Sequence, residues 1–367
     1  MKILCSNPIY QYKSHKKKID QAIQKVLNKG IYINGKECNK FELEFSRFVG
    51  MPYCLGVANG TDALEIALKI INISKGDEVI TTCHTAAATI ASIINVGAKP
   101  VILDIDTNTF NLNTKLLKKA FSKKTKAIVA VHIYGNPCEI EIIKKFSKNN
   151  KIYLIEDCSQ AHGAKLLKKQ VGSFGDMSCF SFYPTKNLGA IGDGGAILFN
   201  SKKLKNQASL LREYGWKNKF YSKITGRNSR LDELQASILR VKLKKLYNDN
   251  LKRIKLASRY IEKLKKIIKI KLPLTDVKNY HVYHLFVIKT EIRDKLKKFL
   301  ETKNIFSTIH YPVPIHKQEG FMRKIKFIGS KKNIENITSK ILSLPIYPEL
   351  KLSEQNYIIK SLEEFYE

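Results

Sequence analysis

The sequence predicts an α/β protein organised on a parallel sheet. Three observations predict it. Strand-like and helix-like patterns alternate from residue 61 to residue 200. The strands are near-continuous apolar runs, as expected where helices cover both faces of a parallel sheet. With 367 residues, 44% of them apolar, the chain can bury a sizeable core.

The elements follow in order. Residues 1–50, with a turn at Gly30-Ile31-Tyr32, are expected to wrap against the remainder. Residues 61–72 (TDALEIALKIIN) have helical spacing, and 78–82 (EVITT) form a short strand. A buried helix over 86–96 leads to a strand over 101–106 (VILDID) that ends in acids. Residues 115–121 are helical, 127–133 (AIVAVHI) a strand, 139–148 a helix and 152–157 (IYLIED) a strand. Two more strands, 178–183 and 195–200, flank a glycine-rich stretch. One long Lys-rich helix is expected from 231 to about 269, with Pro273 beyond it. A strand over 280–289, a helix over 291–303, a strand over 307–311 and helices near 334–342 and 353–364 complete the chain. The domain boundary is expected inside the long helix, giving a large domain over 1–247 and a smaller one over 248–367.

The formal charge is +33, from 65 basic and 32 acidic residues. Such a charge raises nucleic acid, anionic membrane or a phosphorylated substrate as partners. The lysines are nevertheless dispersed in short clusters such as 16–18 and 202–203, outside any nucleic-acid signature. A Lys-rich solvated surface follows, with no specific nucleic-acid partner. No apolar run reaches 18 residues and the N-terminus lacks an apolar signal core, so neither membrane span nor leader is expected. The seven cysteines are scattered without a C-x-x-C pair, which disfavours zinc and points to a reducing, cytoplasmic setting. His281 and His284 on one strand would face opposite ways, so no metal is expected there.

Three motifs carry chemistry. In FSFYPTKNLGAIGDGG, Lys186 follows an apolar strand and sits in a turn bounded by proline and glycine. A desolvated amine there becomes a Schiff-base nucleophile, the alternative being an ordinary loop lysine. In IEDCSQAHG, Asp157 ends an apolar strand, where α/β sheets hold ligands. A carboxylate there can keep the ring nitrogen of pyridoxal phosphate (PLP) protonated, or simply cap a helix. In ANGTDAL, Gly60 and Thr61 open a helix whose N–H groups suit a phosphate, or form an ordinary cap.

Together these motifs resemble the fold-type I PLP-dependent sugar aminotransferases, the DegT/DnrJ/EryC1/StrS group. The resemblance spans nearly the whole chain, through GDEVITTCHTAAAT (76–89), VHIYGNP (131–137), REYGW (212–216), NSRLDELQASIL (228–239) and HYPVPIH (310–316). It implies an aspartate aminotransferase-like large domain with a mixed, mostly parallel sheet, a smaller α+β C-terminal domain, and a homodimer with shared active sites. Lys186 would hold PLP as a Schiff base, Asp157 would pair with its ring nitrogen and Gln160 would contact its hydroxyl. Gly60, Thr61 and Ser181 would bind the phosphate together with Asn228 from the partner subunit, and His84 would stack on the ring. His162 reads as structural, and Cys158 and Cys179 as packing. Tyr183, Lys219, His310 and Tyr311 match nucleotide-sugar contacts, and Arg230 would serve the amino donor or the dimer interface.

The implied reaction transfers the amino group of L-glutamate to a dTDP-3-keto-6-deoxyhexose, in surface-glycan biosynthesis. Amination at C-4 of a 4-keto sugar nucleotide is the alternative. A sugar dehydratase of the same fold replaces the Schiff-base lysine, so Lys186 argues against it. A non-enzymatic regulator would have no use for the cofactor constellation.

Overall fold

The computed structural model describes residues 2–274 and 276–367. At its centre lie Tyr53–Val57 (β1), Glu78–Thr82 (β2), Lys99–Leu103 (β3), Thr125–Val131 (β4), Tyr153–Asp157 (β5), Met177–Ser181 (β6), Gly195–Phe199 (β7) and Lys326–Ile328 (β8). They form one sheet in the order β8-β3-β2-β4-β5-β6-β7-β1. β7 runs antiparallel to both its neighbours, and every other pair is parallel. The sheet is therefore mixed and mostly parallel.

Helices cover both faces, which is why its inner strands are largely apolar and buried. On one face Gly60–Ile70 (α3) packs Ala63, Ile66 and Ala67 with Leu55, Val129 and Ile197. On the other, Lys36–Val49 (α2) and Glu233–Leu243 (α5) close Phe41, Phe45 and Leu239 over Cys54, Phe180 and Leu198. Ala87–Asn95 (α4) follows β2 at the edge of the cavity described below. The N-terminal segment touches both halves, as its wrapping role requires. Pro8–Lys29 (α1) packs on α5, while Ile3–Leu4 pairs with Ile305–Phe306. All seven thiols are free, and six are buried.

The structure revises several sequence expectations. β1 and β8 were not foreseen. The helix over 231–269 is two, α5 and Leu246–Leu264 (α6), interrupted at Lys244-Lys245. Leu246 joins the sheet's core, whereas Leu256, Ala257, Tyr260 and Leu264 pack in the C-terminal core with Phe286, Leu296 and Leu342. Residues 280–289 form two short strands, Asn279–Tyr280 and Phe286–Lys289. Between them the chain bends at Tyr283 (φ 43°), and Val282 N–H donates to Gly135 O. His281 and His284 thus leave the strand separately, towards Tyr134 O and Asn187 Oδ1 respectively. Residues 307–311 contribute only a bridge at Thr308, to Ser343, beyond the short strand Ile305–Phe306. The helix near 334–342 is Lys331–Lys340, and Ile341–Leu344 is a strand paired with Phe286–Lys289.

Candidate active site

The C-terminal ends of β1, β4, β5 and β6 converge on a cavity of about 240 Å³. Sheet register brings its walls together. Val131 pairs with Asp157, and Gly195 pairs with both Ser181 and Val57. The chain leaving β1 turns into α3, where the Asn59 side chain caps the Asp62 N–H at 2.8 Å. The next amides, of Gly60 and Thr61, border the cavity at the positive end of the helix dipole. A Cβ on Gly60 would lie 2.7 Å from Ser181 Cβ, so glycine is required for these two walls to meet.

Lys186 is half-buried on the same cavity. Desolvation pulls its pKa from an ordinary 10.5 down to about 8, while the charge of Asp157 pulls it upward. Asp157 is 5% exposed. Its Oδ2 accepts from Thr89 Oγ1 at 2.9 Å and its Oδ1 from Ser159 N–H at 3.1 Å. Thr85 Oγ1 in turn lies 2.8 Å from Thr89 Oγ1. These threonines were missed in the sequence reading. Their i, i+4 spacing across the start of α4 is the signal that could have found them.

Gln160 borders the cavity, with Oε1 accepting from Tyr134 N–H at 2.7 Å and Nε2 donating to Tyr311 O–H at 2.8 Å. Tyr183, 53% exposed, stands at the rim. His310 faces Ser343 Oγ through Nδ1 at 2.9 Å, and its carbonyl accepts from the Tyr134 hydroxyl. That hydroxyl therefore accepts from His84 Nε2, which fixes the tautomer. Burial lowers the His84 pKa to about 3, so the ring is neutral. His84 does not line the cavity. Its ring packs among Phe110, Tyr134 and Tyr311, and the residues that face inward are Thr85 and Ala86. The expected ring-stacking position is corrected accordingly.

His162 is fully buried between Phe180 and Phe182, and its pKa falls to about 3 through burial and the charge of Lys186. Lys219, Asn228 and Arg230 lie away from this cavity. Lys219 and Arg230 line a second groove with Trp216, and Arg230 pairs with Glu213 at 3.1 Å. Asn228 bridges to Glu213 through the backbone. One cluster of metal-ligand type exists among the described residues, His132, Glu156 and Cys158. Cys138 N–H donates to His132 Nδ1, so Nε2 donates to Glu156, which also accepts from Gly172, Phe174 and Gly175 N–H at 2.7–2.8 Å. These bonds make it a node tying β5 to the 172–175 turn.

The geometry can hold a phosphate at α3, a basic ring nitrogen at Asp157 and a carbonyl at Lys186. A profile of the DegT/DnrJ/EryC1/StrS aminotransferase family matches residues 13–363. A dTDP-3-amino-3,6-dideoxy-alpha-D-galactopyranose transaminase of Aneurinibacillus thermoaerophilus is 42% identical over 351 residues, 96% of each chain. A pleiotropic regulatory protein of Geobacillus stearothermophilus is 38% identical over 97% of this chain and 96% of its own. The crystal structure of S. venezuelae DesV in complex with a ketimine intermediate superposes with a TM-score of 0.97 at 35% identity, covering 100% of this chain and 99% of that one.

Proposed function

The chain belongs to the DegT/DnrJ/EryC1/StrS aminotransferase family and is a PLP-dependent sugar aminotransferase; on that premise we propose that it transfers the amino group of L-glutamate to a dTDP-3-keto-6-deoxyhexose. The products are a dTDP-3-amino-3,6-dideoxyhexose and 2-oxoglutarate. The observation that carries this reading is the desolvated amine of Lys186, set on one cavity with the Asp157 carboxylate and the N-terminus of α3. The name of the A. thermoaerophilus relative supports the sugar.

The cavity suits PLP. The close approach of Gly60 to Ser181 would leave amides and a hydroxyl for its phosphate, and Asp157, held by Thr89, would face its ring nitrogen. When bound, PLP supplies an electron sink for charge developing beside the transferred nitrogen. Lys186 Nζ would hold the cofactor, release it to the incoming amine, and then carry the proton to or from the reacting carbon. Asp157 would keep the ring nitrogen protonated, and Gln160 would fix the ring's tilt. Tyr183, His310 and Tyr311 would orient the sugar nucleotide.

Lys219, Asn228 and Arg230 would complete the site of a partner subunit in a homodimer. In support of that assignment, they lie away from this chain's own cavity. We further assign residues 1–247 and 248–367 to large and small domains, and the protein to the cytoplasm. The test is to offer 3-keto and 4-keto dTDP-sugars separately and identify the product by NMR. Amination of the 4-keto sugar alone would overturn the substrate, and no turnover of either would overturn the reading.

A further inference from the structure

We propose that Lys242 is a positioning residue for this reaction: from inside the protein it fixes the backbone of the turn that carries Lys186. The inference rests on the role given above to Lys186.

The turn between β6 and β7 is folded tightly on itself. Lys186 N–H donates to Tyr183 O at 2.8 Å, and Ala190 N–H to Phe182 O at 2.7 Å. At Gly189 a Cβ would lie 2.5 Å from Pro184 O, so the two limbs of the turn touch. Two buried anchors then hold it from behind. On one side Asn187 donates to Asn250 Oδ1 at 2.9 Å and to Val282 O at 3.1 Å, and its Oδ1 meets His284 Nδ1 at 3.2 Å. On the other, Lys242 reaches from α5 and donates through Nζ to Gly189 O at 2.6 Å and to Gln11 Oε1 at 2.8 Å.

Lys242 is 4% exposed, and among the described residues no carboxylate lies within ion-pair distance of it. Burying an ammonium without a counter-ion is costly, and an apolar residue would fill the space at lower cost. Desolvation lowers its pKa to about 8, with Glu349 and Asp249 opposing from further away. The group's charge is spent on a backbone carbonyl three residues from Lys186. Such a donor is replaceable for packing and hard to replace for placement.

The test compares Lys242→Met, Lys242→Gln and Gln11→Leu in the PLP-loaded enzyme, with Lys186→Ala alongside. Lys242→Met keeps the volume and removes the donors. It is expected to lower kcat about 10- to 100-fold, the scale of a misplacement near 1 Å, with KM for both substrates nearly unchanged. It should also alter the visible circular dichroism of the bound cofactor, which follows the cofactor's orientation. Lys242→Gln, which keeps a donor, should recover part of both. Gln11→Leu removes only the tether to α1 and should leave kcat and dichroism as in the wild type. Wild-type kcat and dichroism in a folded Lys242→Met overturn the inference. So does the same loss in Gln11→Leu, or failure of both Lys242 variants to fold, since either makes the role one of stability. If Lys186→Ala keeps turnover, the reading of Lys186 itself falls instead.

Discussion

The depressed pKa of Lys186 is measurable without cofactor or substrate. In the apoprotein, competitive labelling with acetic anhydride followed by mass spectrometry gives each lysine's reactivity against pH. Only the neutral amine reacts. Because burial disfavours the charged form, the labelling of Lys186 should rise with pH through about 8 and level off above it. At pH 7 an amine with a pKa of about 8 is roughly one-tenth neutral, whereas one near 10.5 is about 0.03% neutral, a ratio of roughly 300. The dispersed surface lysines serve as internal standards. Asp157 supplies the sign check. Its charge favours the protonated amine, so Asp157→Asn should move the midpoint below that of the wild type. A Lys186 profile that keeps climbing with the surface lysines would refute the desolvation argument. An upward shift in Asp157→Asn would refute the electrostatic one.

Other predictions concern function more directly. Asp157→Asn should still bind PLP but lose about 10²-fold or more in kcat, with a smaller change in KM, in steady-state assays. Gly60→Val must displace Ser181, whose Cβ would lie 2.7 Å from the new Cβ. Cofactor titration should show affinity falling at least about tenfold, a loss of about 1.4 kcal/mol. Nucleic acid should bind weakly, without sequence preference and with steep salt dependence, because dispersed lysines release counterions but read no groove; gel shifts across a salt series test this.

What could be read from the sequence depended on whether local chemistry announced itself. Runs such as AIVAVHI and IYLIED are apolar at most positions because helices cover both faces, so β4 and β5 were legible. β8 has three residues and exists only because Lys99–Leu103 offers it a parallel edge, which no local pattern records. The interruption between α5 and α6 carries no glycine or proline; Leu243 and Leu246 enter the same core on either side of it, and packing sets the break. Lys186, Asp157 and Gly60 stood out because each ends or follows a strand or opens a helix. Thr89, Asn187 and Lys242 did not, because their roles depend on partners distant in the chain: Asp157, Asn250 and Gly189. His84 was misjudged because adjacent residues of an irregular segment point different ways, and Ala86 rather than the imidazole faces the cavity.

The one antiparallel strand of the central sheet, β7, also sets an order of assembly. The pairing of β4 with β5 is nearly local and can form as soon as those residues meet. Among the described residues β1 pairs in the sheet with β7 alone, which arrives far later in the chain, and until then the sheet does not hold the N-terminus of α3 opposite Ser181. Non-local pairings of this kind are closed slowly. On the ribosome the phosphate cradle therefore cannot exist before residue 199 has emerged, well after α3 itself. During refolding, uptake of the cofactor should trail the recovery of backbone structure and mark arrival at the native state.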